Sequence, residues 1–362
     1  MKILLLGDYS AVNKYLKEGL VALGCDVTLA SNGDWWKNIP GADMYLYDDN
    51  NTTLYKKIIN KIINPIFDNR FAGYDIVQAI NPMLFDWRCG TIPFRKILNN
   101  NNKFYVNGAG LDSFLYRAWK LNKFSPPYYS INDKTKNIIK GFDNKSIRSK
   151  MLNRICDYVI SNAKGIIPCI PYEYEIPYEG MKNLLKPILF PVNVDNIHYE
   201  DNIPKDKIIF YHGVTRRYEK GSDFIEEAMK VIQNKYPRDV ECIVSERMSY
   251  CDYIKIINKA NVIIDQCCSY GYGMNACISL AKGKIVLSGA ESEVLSRMGS
   301  AGVECPVFNI VPNVKQICEQ MEKIIDNKNN IKIIGERSRL YVEKYHNYVN
   351  IAQEYLDVWS KN

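Results

Sequence analysis

The sequence has little histidine, and its cysteines follow no spacing that is typical of a disulfide framework or a metal site. Only 3 histidines occur in 362 residues, and the cysteines number 11. Most cysteines lie in apolar runs, as Cys242, Cys267, Cys277 and Cys318 do, where cysteine packs as a small hydrophobic residue. No Asp-x-Asp motif lies in a fitting loop, so we predict no metal site. An odd number of cysteines without a signal peptide predicts a reducing compartment.

The sequence also lacks a long apolar run. No run reaches the ~18 residues that a transmembrane helix needs. Residues 1–6 are apolar only over the length of a strand, which is too short for the core of a signal peptide. We therefore expect a cytoplasmic protein.

The charge balance is mildly basic. Lys and Arg number 47 against 40 Asp and Glu, a net charge of +7 that is spread along the chain. Without a zinc spacing or a basic stripe, this balance argues against a nucleic-acid binder. It fits an anionic small ligand or peripheral association with the anionic inner face of a membrane. The alternative is that the surplus lysines only solvate the surface.

Strand and helix patterns alternate from the first residue, which is typical of βαβ units and a parallel sheet. The first unit has a buried strand at residues 3–6, a turn at 7–10 and an amphipathic helix over 12–23. The other strands predicted in this half span residues 26–30, 44–47, 75–79, 103–106, 158–161 and 165–168.

A segment rich in proline and tyrosine, residues 171–193, has no clean periodicity and is interpreted as the passage between two domains. Strands resume at 208–211, 240–244, 262–264 and 285–287, with helices that start near Ser222, Tyr250 and Met274. A length of 362 residues fits two domains. We predict an N-terminal domain of residues 1–185 and a C-terminal domain of residues 186–345. The last helix, with Leu356 and Trp359, is expected to return to the first domain, so that residues 346–362 pack on it.

Two loops of the second half have the chemistry of a phosphate site. Gly271 and Gly273 lie between a buried strand and a helix, and a glycine loop at a helix N-terminus directs backbone N–H groups at an anion. About 50 residues upstream, residues 212–221 form a basic cluster that also joins a strand to a helix. Two such units in one half favour a nucleotide diphosphate. The alternatives are an ordinary turn and a solvated loop.

This order of motifs resembles the GT-B glycosyltransferases, and within them the retaining family-4-like branch linked to bacterial surface polysaccharides. The resemblance covers nearly the whole chain. It rests on residues 7–10 and 31–38 at the start, on the "HG…R…KG" segment at 212–221, and on residues 265–276. It implies an α/β fold of two Rossmann-like domains that face each other across a cleft, with ligands at the carboxyl ends of the strands.

One departure from this family concerns two glutamates. Family-4 enzymes often carry an E-x7-E pattern here, but the corresponding positions are Tyr270 and Ile278. Other groups must then hold the ribose, and Glu291 or Glu293 after the next strand could supply a carboxylate. We expect Glu293 rather than Glu291 to face inward, unless it caps a helix.

The resemblance implies the following site residues. Catalytic roles are predicted for Arg217, Lys220, Glu293 and Asp112; donor binding for Gly213, Arg216, Arg217, Lys220, Asp265, Tyr272, Gly273, Met274 and Asn275; and the acceptor side for Gly7, Asp8, Tyr9 and Gly108. Asp112 could equally cap the helix that follows it, and Asp265 either orders its loop or touches the ligand. Asn81-Pro82 stands where a histidine could act as a base, so no general base is assigned.

The implied reaction is transfer of a sugar from a nucleotide diphosphate donor, such as a UDP- or GDP-sugar, to a glycan or lipid-linked acceptor. No metal or other cofactor is expected, and retention would proceed by front-side attack. Trp35-Trp36 and Tyr128-Tyr129 could stack on sugar or meet a membrane, or they are core residues. A sugar-nucleotide epimerase of the same fold and a catalytically silent sugar-nucleotide binder remain alternatives.

Overall fold

The structure, a computed structural model, describes residues 1–34, 37–47, 53–128, 140–246, 248 and 250–362. Trp35, Trp36 and Tyr129, for which stacking was predicted, lie outside the described residues. The described chain forms two parallel sheets of five strands each, with helices on their faces.

The first sheet contains the strands of the N-terminal half in the order β2-β1-β3-β4-β5. These strands are β1 (Lys2–Leu6), β2 (Asp26–Ala30), β3 (Ile76–Ala79), β4 (Lys103–Gly108) and β5 (Gly165–Pro168). The central strand β1 pairs Ile3 with Val27 on one side and with Ile76 on the other. Strands such as β3 and β5 are buried along their whole length because helices cover both faces of the sheet.

The second sheet repeats this plan in the order β10-β9-β8-β6-β7. Its strands are β6 (Ile208–Val214), β7 (Val240–Glu246), β8 (Val262–Ile264), β9 (Ile285–Ser288) and β10 (Phe308–Asn309). In each sheet the second strand of the half lies on one side of the first strand, and the later strands lie on its other side. Ligands bind at this switch point in open parallel sheets.

Helices fill the connections. The α-helices are α1 (Val12–Ala22), α2 (Leu54–Ile58), α3 (Asn64–Phe67), α4 (Ile92–Asn99), α5 (Ser113–Lys120), α6 (Ile147–Asn162), α7 (Arg217–Lys220), α8 (Ser222–Lys235), α9 (Tyr250–Lys259), α10 (Met274–Ala281), α11 (Ser292–Leu295), α12 (Ser300–Val303), α13 (Val314–Asp326), α14 (Ile331–Tyr345) and α15 (Tyr348–Lys361). A π-helix, Ile59–Ile63, joins α2 to α3. Short 3-10 turns occupy Trp87–Cys89, Lys140–Phe142, Ile176–Tyr178, Val194–Asn196, Ser296–Met298 and Lys328–Asn330.

The C-terminal helix α15 returns to the first sheet, as predicted. Trp359 is 1% exposed, and its indole N–H donates to Gln78 on β3 at 3.2 Å. The hydroxyl of Tyr355 donates to Asn107 on β4 at 3.1 Å, and α15 packs along α1. Gly19 of α1 permits this approach, since a Cβ there would lie 2.2 Å from the carbonyl oxygen of Tyr348. The burial of large aromatic side chains stabilises this return.

The passage between the two halves is held by His346. Its ring is fully buried and contacts the Phe190 carbonyl oxygen at 2.8 Å and the Tyr272 hydroxyl at 3.0 Å. Burial lowers the pKa of His346 to about 4, so the ring is neutral at pH 7. The predicted division of the chain between residues 185 and 186 falls in this passage and stays a prediction.

Two predicted strands are wrong. Residues 158–161 belong to α6, because the apolar residues there continue the helical spacing of Ile155 and Cys156, and the capping box at Ser146 and Ser149 starts that helix. Residues 44–47 form no strand, and only Met44 bridges to Ala30. The short strand β10 was missed, since two residues carry no periodic signal.

Candidate functional site

The two phosphate-type loops of the second half meet at a buried ion pair. The Lys220 ammonium, at the end of α7, contacts Asp265 Oδ1 at 2.7 Å, and Asp265 follows β8 directly. The same oxygen accepts a hydrogen bond from the side-chain amide of Asn275 on α10 at 2.6 Å. Burial alone would raise the pKa of Asp265, but the Lys220 charge and these hydrogen bonds lower it below its ordinary value. Asp265 therefore orders both loops.

The two arginines of the basic cluster have different surroundings. Arg217 contacts Asp223 at 3.0 Å, Glu226 at 2.9 Å and also Glu246, and these carboxylates raise its pKa, Glu246 most strongly. The side chain of Arg216 is 58% exposed and contacts Glu219 at 3.0 Å. Because three carboxylates surround Arg217, Arg216 is the better placed of the two to meet an anion from solvent.

The N-terminus of α10 is open. Its N-cap is Gly273, so no side chain caps the helix, and a Cβ built on Gly273 would meet nothing within 4 Å among the described residues. The first backbone N–H groups of a helix carry a partial positive charge. The neighbouring side chains of Tyr272 and Met274 are buried, with the Tyr272 hydroxyl 2.7 Å from that of Tyr341. Only the backbone of these two residues can line the open end.

A carboxylate from the first half occupies the preceding loop. Glu173 is 3% exposed, and its Oε2 accepts hydrogen bonds from the backbone N–H groups of Tyr270 at 3.0 Å and Gly271 at 3.2 Å. The hydroxyl of Ser269 donates to the same oxygen at 2.6 Å. Gly271 permits close contact, since a Cβ there would lie 2.5 Å from Ile170. The loop predicted to bind phosphate therefore binds an internal carboxylate at residues 269–271 and leaves its later part, at Gly273, open.

Tyr270, which stands where the family often has glutamate, is part of an aromatic cluster. Its ring stacks on those of Phe124 and Tyr128 at centroid distances of 5.2 and 4.9 Å and meets Tyr172 edge-on at 5.3 Å. All three partners come from the first half of the chain. Tyrosine at this position therefore joins the two halves instead of supplying a carboxylate.

The carboxylate that faces the first half is Glu291. It accepts a hydrogen bond from the Tyr128 hydroxyl at 2.5 Å and another from the Asn309 side chain at 3.0 Å. Glu293, predicted to face inward, accepts a hydrogen bond from its neighbour Ser292 at 3.0 Å, in the first turn of α11. The structure thus brings Glu291 to the boundary between the halves.

In the first half of the chain, the loop after β1 has an unusual backbone. Ser10 and Ala11 have φ values of 54° and 72°, a left-handed conformation that side chains rarely adopt, and Asp34 has 56°. The Ser10 N–H donates to Asp34 at 2.9 Å, and the Lys37 ammonium lies 2.5 Å from Asp34 and 2.7 Å from the Ser10 hydroxyl. Such conformations cost energy, persist where surrounding contacts hold them, and cluster at functional sites.

Asp8 lies in the same loop and is 5% exposed. Its Oδ1 accepts a hydrogen bond from the backbone N–H of Asn13 at 2.9 Å, so it also caps α1. Burial raises the pKa of Asp8 to about 7, outweighing this hydrogen bond and the nearby Lys37 charge. A carboxyl group with such a pKa can accept or donate a proton near neutral pH.

Charges of the second half act on titratable groups of the first half. Burial lowers the pKa of Lys37, and the charges of Arg216 and Lys220 on the second half lower it further, although Asp34 opposes them. Burial also raises the pKa of Tyr9, which Arg216 partly offsets. The charge of Arg216 thus acts on the ionisation of both Lys37 and Tyr9.

The remaining predicted acceptor-side residues have structural contacts. Asp112 caps α5 by accepting from the backbone N–H groups of Phe114 and Leu115 at 2.9 Å each, and its other oxygen accepts from the Tyr178 hydroxyl. Gly108 ends β4, where a Cβ would lie 3.1 Å from the Tyr178 ring. Gly7 has a φ of 74°. The capping alternative for Asp112 is thus the one observed.

His212 is buried on β6, next to Gly213. Its ring nitrogens lie 2.7 Å from the Ile264 carbonyl oxygen and 2.8 Å from the Ser222 hydroxyl, and burial lowers its pKa to about 4. Across the described ranges, no group of three or more His, Cys, Asp or Glu side chains is arranged to hold a metal ion. None of the helices described has both the length and the apolar character required to span a membrane.

Sequence reasoning missed Glu173 and Lys37. Glu173 lies in the segment interpreted as a passage between domains, and an acidic residue flanked by tyrosines there gave no signal of its own. Lys37 lies within residues 31–38, which carry part of the family resemblance, but no spacing singles it out.

No protein-family model matches the chain, and no curated protein matches it. Solved structures match along its whole length. Sucrose-phosphate synthase from Thermosynechococcus elongatus is 14% identical with a TM-score of 0.60, over 100% of this chain and 99% of that one. Anabaena HepE, in complex with UDP and glucose, is 10% identical with a TM-score of 0.60, over 100% of both chains. UDP-GlcNAc 2-epimerase from Neisseria meningitidis, bound to UDP-GlcNAc, is 13% identical with a TM-score of 0.52, over 100% of both.

At these identities the likeness concerns the fold alone. The chain has the GT-B type of fold, with two five-stranded parallel sheets and a C-terminal helix that packs on α1. Glycosyltransferases and sugar-nucleotide epimerases share this fold, so it does not choose between them.

Proposed function

We propose that the protein is a glycosyltransferase that moves a sugar from a nucleotide diphosphate donor to a hydroxyl of a glycan or lipid-linked acceptor. One observation carries this proposal. The buried contact of Lys220 with Asp265, which also accepts a hydrogen bond from Asn275 of α10, holds the basic segment of residues 212–221 beside the open N-terminus of that helix. An anion with two phosphates suits such a space.

In this proposal the sugar donor binds mainly to the second half. Its diphosphate meets the backbone N–H groups that follow Gly273 and the guanidinium of Arg216. Lys220 adds positive potential but keeps its contact with Asp265, which holds both loops in place. Positive charge at these positions stabilises the diphosphate as the glycosidic bond breaks.

The acceptor hydroxyl enters from the first half, beside Tyr9 and Asp8. Retention by front-side attack, as the family resemblance implies, requires the departing phosphate to take the acceptor proton. Asp8 offers a second proton acceptor, since its pKa of about 7 is matched to neutral pH. A proton transfer to Asp8 would instead accompany attack from the opposite face, with inversion. The configuration of the product distinguishes the two routes.

The same carboxyl group supports a second candidate. A sugar-nucleotide epimerase needs acid–base groups beside the sugar, and Asp8 meets that chemical requirement although His212 is buried and committed to other partners. The solved epimerase cited above shares the fold. Epimerisation would convert the sugar nucleotide without an acceptor.

The test is a screen of the purified protein against UDP-, GDP- and other nucleotide sugars, with EDTA present. Thermal stabilisation by one donor and slow release of its nucleoside diphosphate would support a metal-independent transferase and name the donor. Proton NMR of the sugar, with glycan acceptors supplied, then gives the configuration of the product.

Other outcomes would refute the proposal. Conversion of the sugar nucleotide to its epimer without diphosphate release, with solvent deuterium entering the sugar, would identify an epimerase. Binding without any turnover, even with acceptors, would identify a silent binder. Failure of every nucleotide sugar to stabilise the protein would refute the assignment of the cleft as a donor site.

A further inference from the structure

A stretch of helix between β2 and β3 exposes large apolar side chains. It comprises α2, the π-helix and α3, residues 54–67, and is called the 54–67 surface below. On it, Tyr55 is 74% exposed, Phe67 72%, Ile63 43% and Ile58 39%. Single exposed apolar residues are common on soluble proteins, but several in one short segment mark an interaction surface.

These side chains form neighbouring pairs. Tyr55 and Ile58 are three residues apart and Ile63 and Phe67 four apart, which are spacings that bring helical side chains together. Lys56 and Lys57 are exposed beside them and form no ion pair within the described residues. Residues 53–67 contain three lysines and no acidic residue. The surface therefore combines apolar and positive groups.

The opposite side of this segment is fixed to the protein. The Cys89 thiol contacts the carbonyl oxygens of Lys61 and Ile62 at 3.4 and 3.5 Å, and Asn64 donates to Asn60 at 3.1 Å. Pro65 is buried. The apolar side chains of Tyr55 and Phe67 are thus held outward by a supported helix.

The 54–67 surface adjoins the cleft edge of the first sheet. The Lys61 ammonium lies 5.2 Å from the centre of the Tyr47 ring, and the Tyr47 carbonyl oxygen accepts a hydrogen bond from Asn32 at 2.8 Å. Asn32 comes just after β2, and Cys89 belongs to the connection that follows β3. Both connections leave the carboxyl ends of their strands, the same end from which the Asp8 loop leaves β1.

We infer that the 54–67 surface docks the protein on an anionic lipid bilayer. Tyrosine and phenylalanine side chains insert at the level of the lipid head groups, and the lysines meet the negative lipids. The strength of such binding increases with both the buried apolar area and the attraction to anionic lipids, and this segment supplies both. Interfaces with protein partners are depleted of lysine, whereas here lysines lie among the apolar groups. This inference does not depend on the proposed transfer reaction.

The test is co-sedimentation of the full chain with vesicles of phosphatidylcholine, alone or mixed equally with phosphatidylglycerol. We expect binding to the mixed vesicles only, weakened by added salt. Removal of both charges in Lys56→Gln/Lys57→Gln should weaken binding by about 25-fold, because each lysine near an anionic surface contributes about fivefold. Tyr55→Ser/Phe67→Ser should weaken it roughly tenfold or more through lost apolar contact.

Matched controls lie on the second half. Val303→Ser removes an apolar side chain that is 88% exposed, and Lys315→Gln/Lys328→Gln removes two lysines that are 88% and 60% exposed. These variants should bind as the wild type does. Thermal unfolding of each variant checks that it is folded, and donor stabilisation in solution reports on the cleft separately.

Three results would overturn the inference. The first is no binding to phosphatidylglycerol vesicles by the wild type, and the second is equal loss in the control variants. The third is a dimer in solution that Tyr55→Ser/Phe67→Ser converts to a monomer without any change in vesicle binding, which would make the 54–67 surface a contact between copies.

Discussion

The ammonium of Lys220 and the carboxylate of Asp265 form a buried ion pair, 2.7 Å apart, at the centre of the candidate site. Lys220 lies in the basic segment after β6, and Asp265 directly follows β8, so the pair joins two loops that are 45 residues apart in the chain. A cation predicted to contact a ligand is thereby fixed by a protein carboxylate. Its position is set before any ligand binds.

Removal of one partner should destabilise the fold. Asp265→Ala leaves the Lys220 charge buried without its carboxylate and the Asn275 amide without its acceptor, so we expect a loss of about 3–5 kcal/mol in the free energy of unfolding. Urea unfolding measures it. Glu319→Ala, which removes the exposed partner of Lys315 at 4.0 Å, is the control and should cost less than about 1 kcal/mol. Equal effects of the two changes would contradict a structural role for Asp265.

Substitutions of the two adjacent arginines should have different effects, one on donor binding and the other on stability. Arg216→Ala should weaken binding of the sugar donor by about 10- to 100-fold, as expected for the loss of a charge-assisted hydrogen bond, with little change in unfolding. Arg217→Ala leaves Asp223, Glu226 and Glu246 to repel one another and should mainly lower stability. Calorimetric titration with the donor found in the screen and thermal unfolding measure the two effects. The reverse pattern would assign the donor contact to Arg217.

The Glu173 carboxylate should stabilise the contact between the halves. Glu173→Ala leaves two backbone N–H groups without an acceptor in a buried place, for an expected loss of about 2–5 kcal/mol, whereas the Ser269 hydroxyl keeps the Gly271 carbonyl oxygen as an acceptor at 3.0 Å. Hydrogen exchange at Tyr270 and Gly271 should accelerate at the same time. Glu336→Ala is the control: it removes a contact of 3.9 Å with the exposed Lys332 and should cost about 1 kcal/mol or less. Unchanged exchange at Gly271 would refute the role of Glu173.

Asp8 should give stability a pH dependence of defined sign. Its pKa is about 7 in the folded protein against 3.8 ordinarily, so the folded state holds a proton that the unfolded state releases between these values. The wild type therefore loses stability as pH rises from about 4 to 7, by up to about 4 kcal/mol. Asp8→Asn lacks this loss, so its stability relative to the wild type should increase over that window. Urea unfolding at pH 5 and pH 8 measures this, and a constant difference would place the pKa of Asp8 near its ordinary value.

Much of the fold could be predicted from the sequence because each sheet is buried on both faces. Continuous apolar strands such as β5 and β8, separated by helical periodicity, are visible without any tertiary information. Prediction failed where that signal is ambiguous. Residues 158–161 are as apolar as a strand, yet they belong to α6. Their buried side chains continue a pattern of buried residues at helical spacing along that helix.

The site was predicted less completely, since most of its contacts join distant residues. Arg216, Lys220 and Gly273 follow strands and were found from their chemistry. Glu173 contacts residues that are 96 to 98 positions away in the sequence. No local sequence pattern indicates such a contact. The absence of glutamate at Tyr270 was visible in the sequence, but its replacement by an aromatic cluster was not.

The sequence by itself determined the two parallel sheets, the return of the last helix and the location of the basic and glycine loops, because apolar periodicity and loop composition act locally along the chain. Only the tertiary structure decided which charges are available. It pairs Lys220 with Asp265, surrounds Arg217 with carboxylates and raises the pKa of Asp8 to about 7. Electrostatic energies depend on burial and on distances between residues far apart in sequence, and folding alone sets both.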